Sequence, residues 1–91
     1  MTTKQPELEE LVDFPTTFTF RLVADSHPEM ERRCAAAVTN TLDRPILGTN
    51  TKPSKNGKFT SVRIMATVVD ADEIRACYAA LHGLDGVKMM L

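Results

Sequence analysis

The sequence predicts a single α+β domain with the element order β-α-β-β-α-β, and three observations predict it. Apolar and polar residues alternate with period two around Phe18, Phe20 and Leu22, and again through Val62, Ile64, Ala66 and Val68, which is the strand signature. Two other stretches carry apolar stripes at helical spacing: Met30, Cys34, Ala37, Val38 and Leu42, then Ile74, Cys77, Tyr78 and Leu81. Between the second and third strand candidates, Asn56-Gly57 is a hairpin signal of the kind that favours a type I′ turn. A chain of 91 residues suffices for one such domain.

Taken in order, residues 1–15 read as a flexible lead with a small apolar stripe at Leu8, Leu11 and Val12, stopped by Phe14-Pro15. The domain proper is then 16–91. The first strand runs from Thr17 to Ala24, with the aromatic and leucine set facing the core. Asp25 or Ser26 is placed to cap the first helix, with Pro28 in its first turn, and the helix runs to about Leu42. A second strand lies between Ile46 and Ser54. Pro53 cannot donate to a ladder and Lys52 discourages further pairing, so this strand belongs at a sheet edge. The third strand spans Lys58 to Val69. Asp70 caps the second helix, with Glu73 spaced for a capping box, and Gly83 is placed to close it in the left-handed conformation. A short last strand covers Val87 to Leu91. Two amphipathic helices cannot bury their stripes alone, so both must cover one face of the sheet. The split β-α-β solution, the ferredoxin-like fold, puts strands one and three in the centre and two and four at the edges. The edge position required by Pro53 agrees with it.

The formal net charge of −1 provides no global field towards nucleic acid or membrane. The charge is unevenly placed, however: no acid occurs from Arg44 to Val69, a stretch holding Arg44, Lys52, Lys55, Lys58 and Arg63. No apolar run is long enough for a membrane span, and the first residues lack the apolar core of a secretory leader, so a cytoplasmic protein is expected. Cys34 and Cys77 form no C-x-x-C pair and have no histidine at metal spacing, so they read as free thiols, with no metal and no cofactor. His27 and His82 belong to no nucleophile–base–orienter set, and no catalytic residue is assigned. The chain is expected not to be an enzyme. The open sheet face would offer Phe59 as its one aromatic, a poor platform for stacking RNA bases. The loop Asp25-Ser26-His27-Pro28 has neither a cysteine pair nor a glycine-rich phosphate grip.

Phe14-Pro15-Thr16-Thr17-Phe18-Thr19, followed by the stretch from Lys52-Pro53-Ser54 through Asn56-Gly57-Lys58-Phe59-Thr60-Ser61-Val62, resembles the YbeD-like family of small bacterial proteins of unknown function. Gly86-Val87-Lys88-Met89-Met90-Leu91 resembles that family's final strand, so the likeness extends from about Leu8 to Leu91. The resemblance implies a ferredoxin-like fold similar to the ACT regulatory domains of amino-acid metabolism, and it brings no catalytic residue with it.

Two surfaces are candidates for binding. On the hairpin, Lys52, Lys55 and Lys58 supply charge, Ser54 and Ser61 supply hydroxyls, and the turn at Asn56-Gly57 exposes backbone N–H groups, a set suited to an anion or a partner's carboxylates. On the open sheet face, Arg21 and Arg63 should lie on neighbouring strands with Val23, Met65 and Met90 beside them. The expected function is that of a regulatory or adaptor module binding another protein, with a homodimer as one form of it. A metabolite sensor of the ACT-like kind is the alternative. Weak nucleic-acid binding through the hairpin ranks third, since the near-neutral charge argues against it.

Overall fold

The computed structural model describes residues 13–91. The expected lead at 1–15, with its stripe at Leu8, Leu11 and Val12, therefore lies almost entirely outside the described residues. Six elements follow: β1 Thr16–Asp25, α1 Met30–Leu42, β2 Gly48–Pro53, β3 Phe59–Val68, α2 Ala71–His82 and β4 Val87–Met90. They form one four-stranded sheet in the order β2-β3-β1-β4, with antiparallel neighbours throughout. The order is the ferredoxin-like one, and Pro53 lies on an edge strand as its missing N–H requires.

The core is the layer between the sheet and both helices. Phe20, Leu22 and Ala24 of β1 and Val62, Ile64, Ala66 and Val68 of β3 form one buried cluster with Met30, Cys34, Val38 and Leu42 of α1 and Ile74, Cys77 and Leu81 of α2. Register explains why one strand face is buried whole. Phe20 lies opposite Ile64 and Leu22 opposite Val62, so the apolar sets of the two central strands fall on the same side. Their odd-numbered neighbours point the other way, where no helix lies among the described residues.

Several local expectations are corrected. Neither Asp25 nor Ser26 caps α1: the cap is Glu29, without a side-chain hydrogen bond. The Ser26 hydroxyl pairs instead with that of Thr60 at 2.8 Å, and its N–H donates to the Lys58 carbonyl, which ties the loop to β3. Pro28 sits in the turn before the helix, where His27 Nδ1 accepts from the Glu29 N–H at 3.0 Å. Asn56-Gly57 does not form a two-residue type I′ turn. The loop spans residues 54–58, Gly57 N–H donates to the Ser54 carbonyl, and only Gly57 of the pair has positive φ, at 74°. Asn56 works through its side chain: its Oδ1 accepts from the Ser54 hydroxyl and from the Lys58 N–H, each at 3.0 Å.

At the start of α2, Asp70 does cap, accepting from the Glu73 N–H at 2.9 Å. The Glu73 carboxylate, however, does not turn back to Asp70. At the other end, Gly83 has φ −77°, right-handed rather than left-handed, and the positive φ of the connection falls on Gly86 instead. A Cβ at Gly83 would meet nothing closer than 3.6 Å. Gly83→Ala is therefore expected to raise stability by about 0.4–1 kcal/mol, by restricting the unfolded chain. Urea titration checks the sign.

Candidate interaction surface

The side of the sheet away from the helices is built in cross-strand rows. Arg21 pairs with Arg63, and Arg63 with Asn50; Val23 pairs with Ser61, and Ser61 with Lys52; Thr19 pairs with Met65, and Met65 with Gly48. The expected grouping of Arg21, Val23, Arg63 and Met65 is therefore present on one face. Met90 is not part of it. It lies opposite Leu22 and packs against the core, while Met89, opposite Val23 and 56% exposed, takes the outer place. The short pairing of β4 and the register shift between Val23 and Ala24 decide this, and neither was visible from period two alone.

Arg21 and Arg63 are both exposed and lie directly opposite one another. Like charges in this position repel. Among the described residues neither has an acidic partner; the one acid in the same alternation, Asp25, lies 3.5 Å from Lys88. Asn50, Lys52, Ser61 and Arg63 line a shallow depression of about 210 Å³ on this face. The face is thus cationic, with apolar Val23, Met65 and Met89 between the charges.

The hairpin residues divide. Lys52 and Ser61 belong to the sheet face. The Ser54 hydroxyl accepts from the Phe59 N–H at 3.1 Å in addition to its bond with Asn56, so Ser54, Asn56 and the Gly57 N–H are engaged in holding the loop. Lys58 lies over the Phe59 ring, 5.5 Å from its centroid, and Lys55 is exposed near the tip.

One polar cluster was not anticipated. Arg44, in the α1–β2 connection, makes two bonds to the Glu73 carboxylate, at 2.9 and 2.7 Å, and a third to the Thr67 carbonyl at 2.8 Å. Glu73 also accepts from the Val69 N–H at 2.8 Å. The cluster is a clasp across the end of the core; the two residues are 29 positions apart, and only the tertiary fold brings them together. The Arg44 hydrogen bonds hold the Glu73 carboxyl below the usual carboxylate range, with the Val69 N–H adding to them and partial burial opposing. A depressed folded-state pKa means that the stabilisation is present above the unfolded value, about 4.3, and is lost as pH falls through the folded value. Glu73→Gln should therefore melt lower than wild type at pH 7. The gap should close on acidification below about pH 4, as the wild-type carboxyl becomes neutral. Melting curves from pH 7 to 2 check this.

The thiols of Cys34 and Cys77 are free and fully buried, and burial pushes both up to about 11. Such thiols are poor nucleophiles. Among the described residues no group of three or more His, Cys, Asp or Glu could hold a metal ion, and no helix is long and apolar enough to cross a membrane.

A four-stranded antiparallel sheet in the order β2-β3-β1-β4, with two helices on one side, defines the class as a small ferredoxin-like α+β domain. The chain belongs to the family described as protein of unknown function (DUF493), whose model matches residues 9–91. This is the YbeD-like group that the sequence resemblance indicated. It is 34% identical over 85 residues to a UPF0250 protein of Shewanella putrefaciens, covering 93% of this chain and 96% of the relative. It is 33% identical over the same length, with the same coverage, to one of Shewanella oneidensis. Among solved structures it is similar to protein HP0495 from H. pylori, at TM-score 0.75 and 20% identity, covering 99% of this chain and 98% of that one. It is also similar to the ACT domain from the GTP pyrophosphokinase of Chlorobium tepidum, at TM-score 0.61 and 18% identity, covering 84% and 97%. Likeness at these identities concerns the fold.

Proposed function

We propose that this chain is a small, non-catalytic regulatory or adaptor protein that works by binding another protein through its open sheet face. The observation that carries the reading is the Arg21–Arg63 cross-strand pair, uncompensated among the described residues and set beside Val23, Met65 and Met89. Arginine and flexible apolar side chains are enriched at protein contacts: a guanidinium can offset its desolvation by a bidentate bond to a partner's carboxylate, and methionine adapts to the surface it meets. The likeness of the fold to a regulatory domain is in keeping with such a role.

Affinity capture from a bacterial extract, read by quantitative mass spectrometry, tests it. The wild type is compared with the double variant Arg21→Gln/Arg63→Gln and with Arg33→Gln on the helix side. A partner held by the wild type and by Arg33→Gln, and reduced at least tenfold by the double variant, is the expected result. Capture indifferent to the double variant, or no partner above background, overturns the reading.

A second reading has its own observation. Asp25, Ser26, His27, Arg33, Asp85 and Lys88 surround a depression of about 230 Å³ at the mouth of the β1–α1 loop, which offers both signs of charge to a small zwitterionic metabolite. Thermal-shift screening against amino acids and nucleotides separates the two, because a ligand that prefers the folded state raises the melting temperature.

A further inference from the structure

β4 is shorter than the strand it lies beside. It pairs with β1 only over Leu22–Ala24, and beyond that Leu91 N–H donates to the Arg21 carbonyl at 2.9 Å. Backbone groups in an antiparallel strand alternate in direction, so Thr17 and Thr19 point their N–H and C=O groups the same way as Arg21, away from β3. The opposite edge of β3 confirms the alternation: Met65 and Thr67 direct their carbonyls to Leu47 N–H and to Arg44. Among the described residues no strand lies beside Thr16–Phe20 in the lane of β4. Two N–H and two C=O groups of a central strand therefore face outward there, along a stretch of roughly 16 Å.

What flanks the lane indicates what would fill it. On the open face stands Arg21, with Arg63 behind it, neither of them compensated by an acid among the described residues. On the helix side stand half-buried Phe18 and Tyr78, with ring centroids 6.1 Å apart. A strand placed beside Thr17 and Thr19 would alternate its side chains between these two environments. One set would come within diagonal reach of the Arg21 guanidinium, and the other would lie against Phe18 and Tyr78.

The geometry points to β-strand addition: the partner contributes a short extended segment alternating acidic with apolar residues, which continues the lane of β4 along Thr16–Phe20 and sets its carboxylates towards Arg21 and Arg63. The main-chain pairing supplies affinity and the alternation supplies specificity. A protein segment fits better than nucleic acid, because the lane presents paired amide donors and acceptors and an apolar side, neither of which a phosphate backbone uses. This inference rests on the proposed function for its partner but not for its test.

The test uses the full chain labelled with ¹⁵N and the probe acetyl-Glu-Val-Glu-Val-Glu-amide. Amide exchange at Thr17 and Thr19 is expected to slow at least tenfold at saturating probe. The analogue with lysine in place of glutamate, and one N-methylated at every residue so that neither edge keeps a backbone N–H to donate, should both give no protection. Arg21→Gln/Arg63→Gln should weaken the probe at least fivefold. Absence of protection at Thr17 and Thr19 overturns the inference, even where the capture experiment has succeeded. Protection with failed capture overturns the proposed function and leaves the lane standing. Two further outcomes also refute it: tighter binding of oligo(dT) or inorganic phosphate than of the probe, and slow exchange of both amides in the free protein, which would assign the lane to the chain itself or to a second copy.

Discussion

Phe20→Ala is expected to destabilise the protein by about 3–5 kcal/mol. Phe20 is fully buried at the centre of β1, opposite Ile64. Its ring lies 4.8 Å from that of Phe18 and 5.3 Å from that of Tyr78, in tilted and edge-on arrangements that favour aromatic pairs. Truncation removes the transfer free energy of the ring and leaves a cavity bounded by two strands and a helix, which cannot collapse without breaking register. A domain of this size holds roughly 5–14 kcal/mol in all. The variant should therefore melt on the order of 12–40 °C lower, with an unchanged urea m-value. Phe18→Ala, at a half-buried site, should cost less than Phe20→Ala. Equal losses at the two positions would show that the core does not centre on Phe20. The effect reaches the proposed surface too, because the β1–β3 register that buries Phe20 is the one that sets Arg21 opposite Arg63.

That link between core and surface is also why so much of the fold was legible in the sequence. Period two through Phe18–Leu22 and Val62–Val68 both defines the strands and assigns their faces, so Arg21, Val23, Arg63 and Met65 could be grouped without coordinates. What was not legible depends on contacts that no local pattern encodes. Met89 and Met90 exchanged roles because a register shift at Val23/Ala24 resets the alternation of β4. Arg44 and Glu73 are distant in sequence, and Glu73 at capping-box spacing left Asp70 for a charged donor that only the fold supplies. Asn56 formed its turn through its side chain, since a five-residue loop removes the need for positive φ at two successive positions. The lane beside Thr17 and Thr19, which no described strand fills, was hidden for a similar reason: the length of β4 along β1 is a property of pairing, and composition does not state it.

The second large effect is expected at Gly86, and its contrast with Gly57 separates two causes. Both have positive φ, 90° and 74°, where an L-residue is strained. A Cβ at Gly57 would meet nothing within 4 Å, whereas at Gly86 it would stand 2.8 Å from Met30 Cε. Gly57→Ala should therefore lose only the backbone strain, about 1 kcal/mol. Gly86→Ala should lose that and, in addition, the displacement of the Met30 methyl. This end of Met30 is flexible, but the side chain is 3% exposed and packed in the core, so the total should reach about 2–4 kcal/mol. Gly86 also accepts the Asp25 N–H at 2.8 Å, which joins the end of β1 to the start of β4, so the strain falls where β4 is held against its neighbour. A double-mutant cycle isolates the contact. With Met30→Ala in the background, Gly86→Ala should become nearly as mild as Gly57→Ala, because the clash is gone and the strain remains. If the cost at Gly86 is unchanged by removing Met30, the close approach is not what makes glycine necessary there, and the β4 connection is governed by backbone conformation alone.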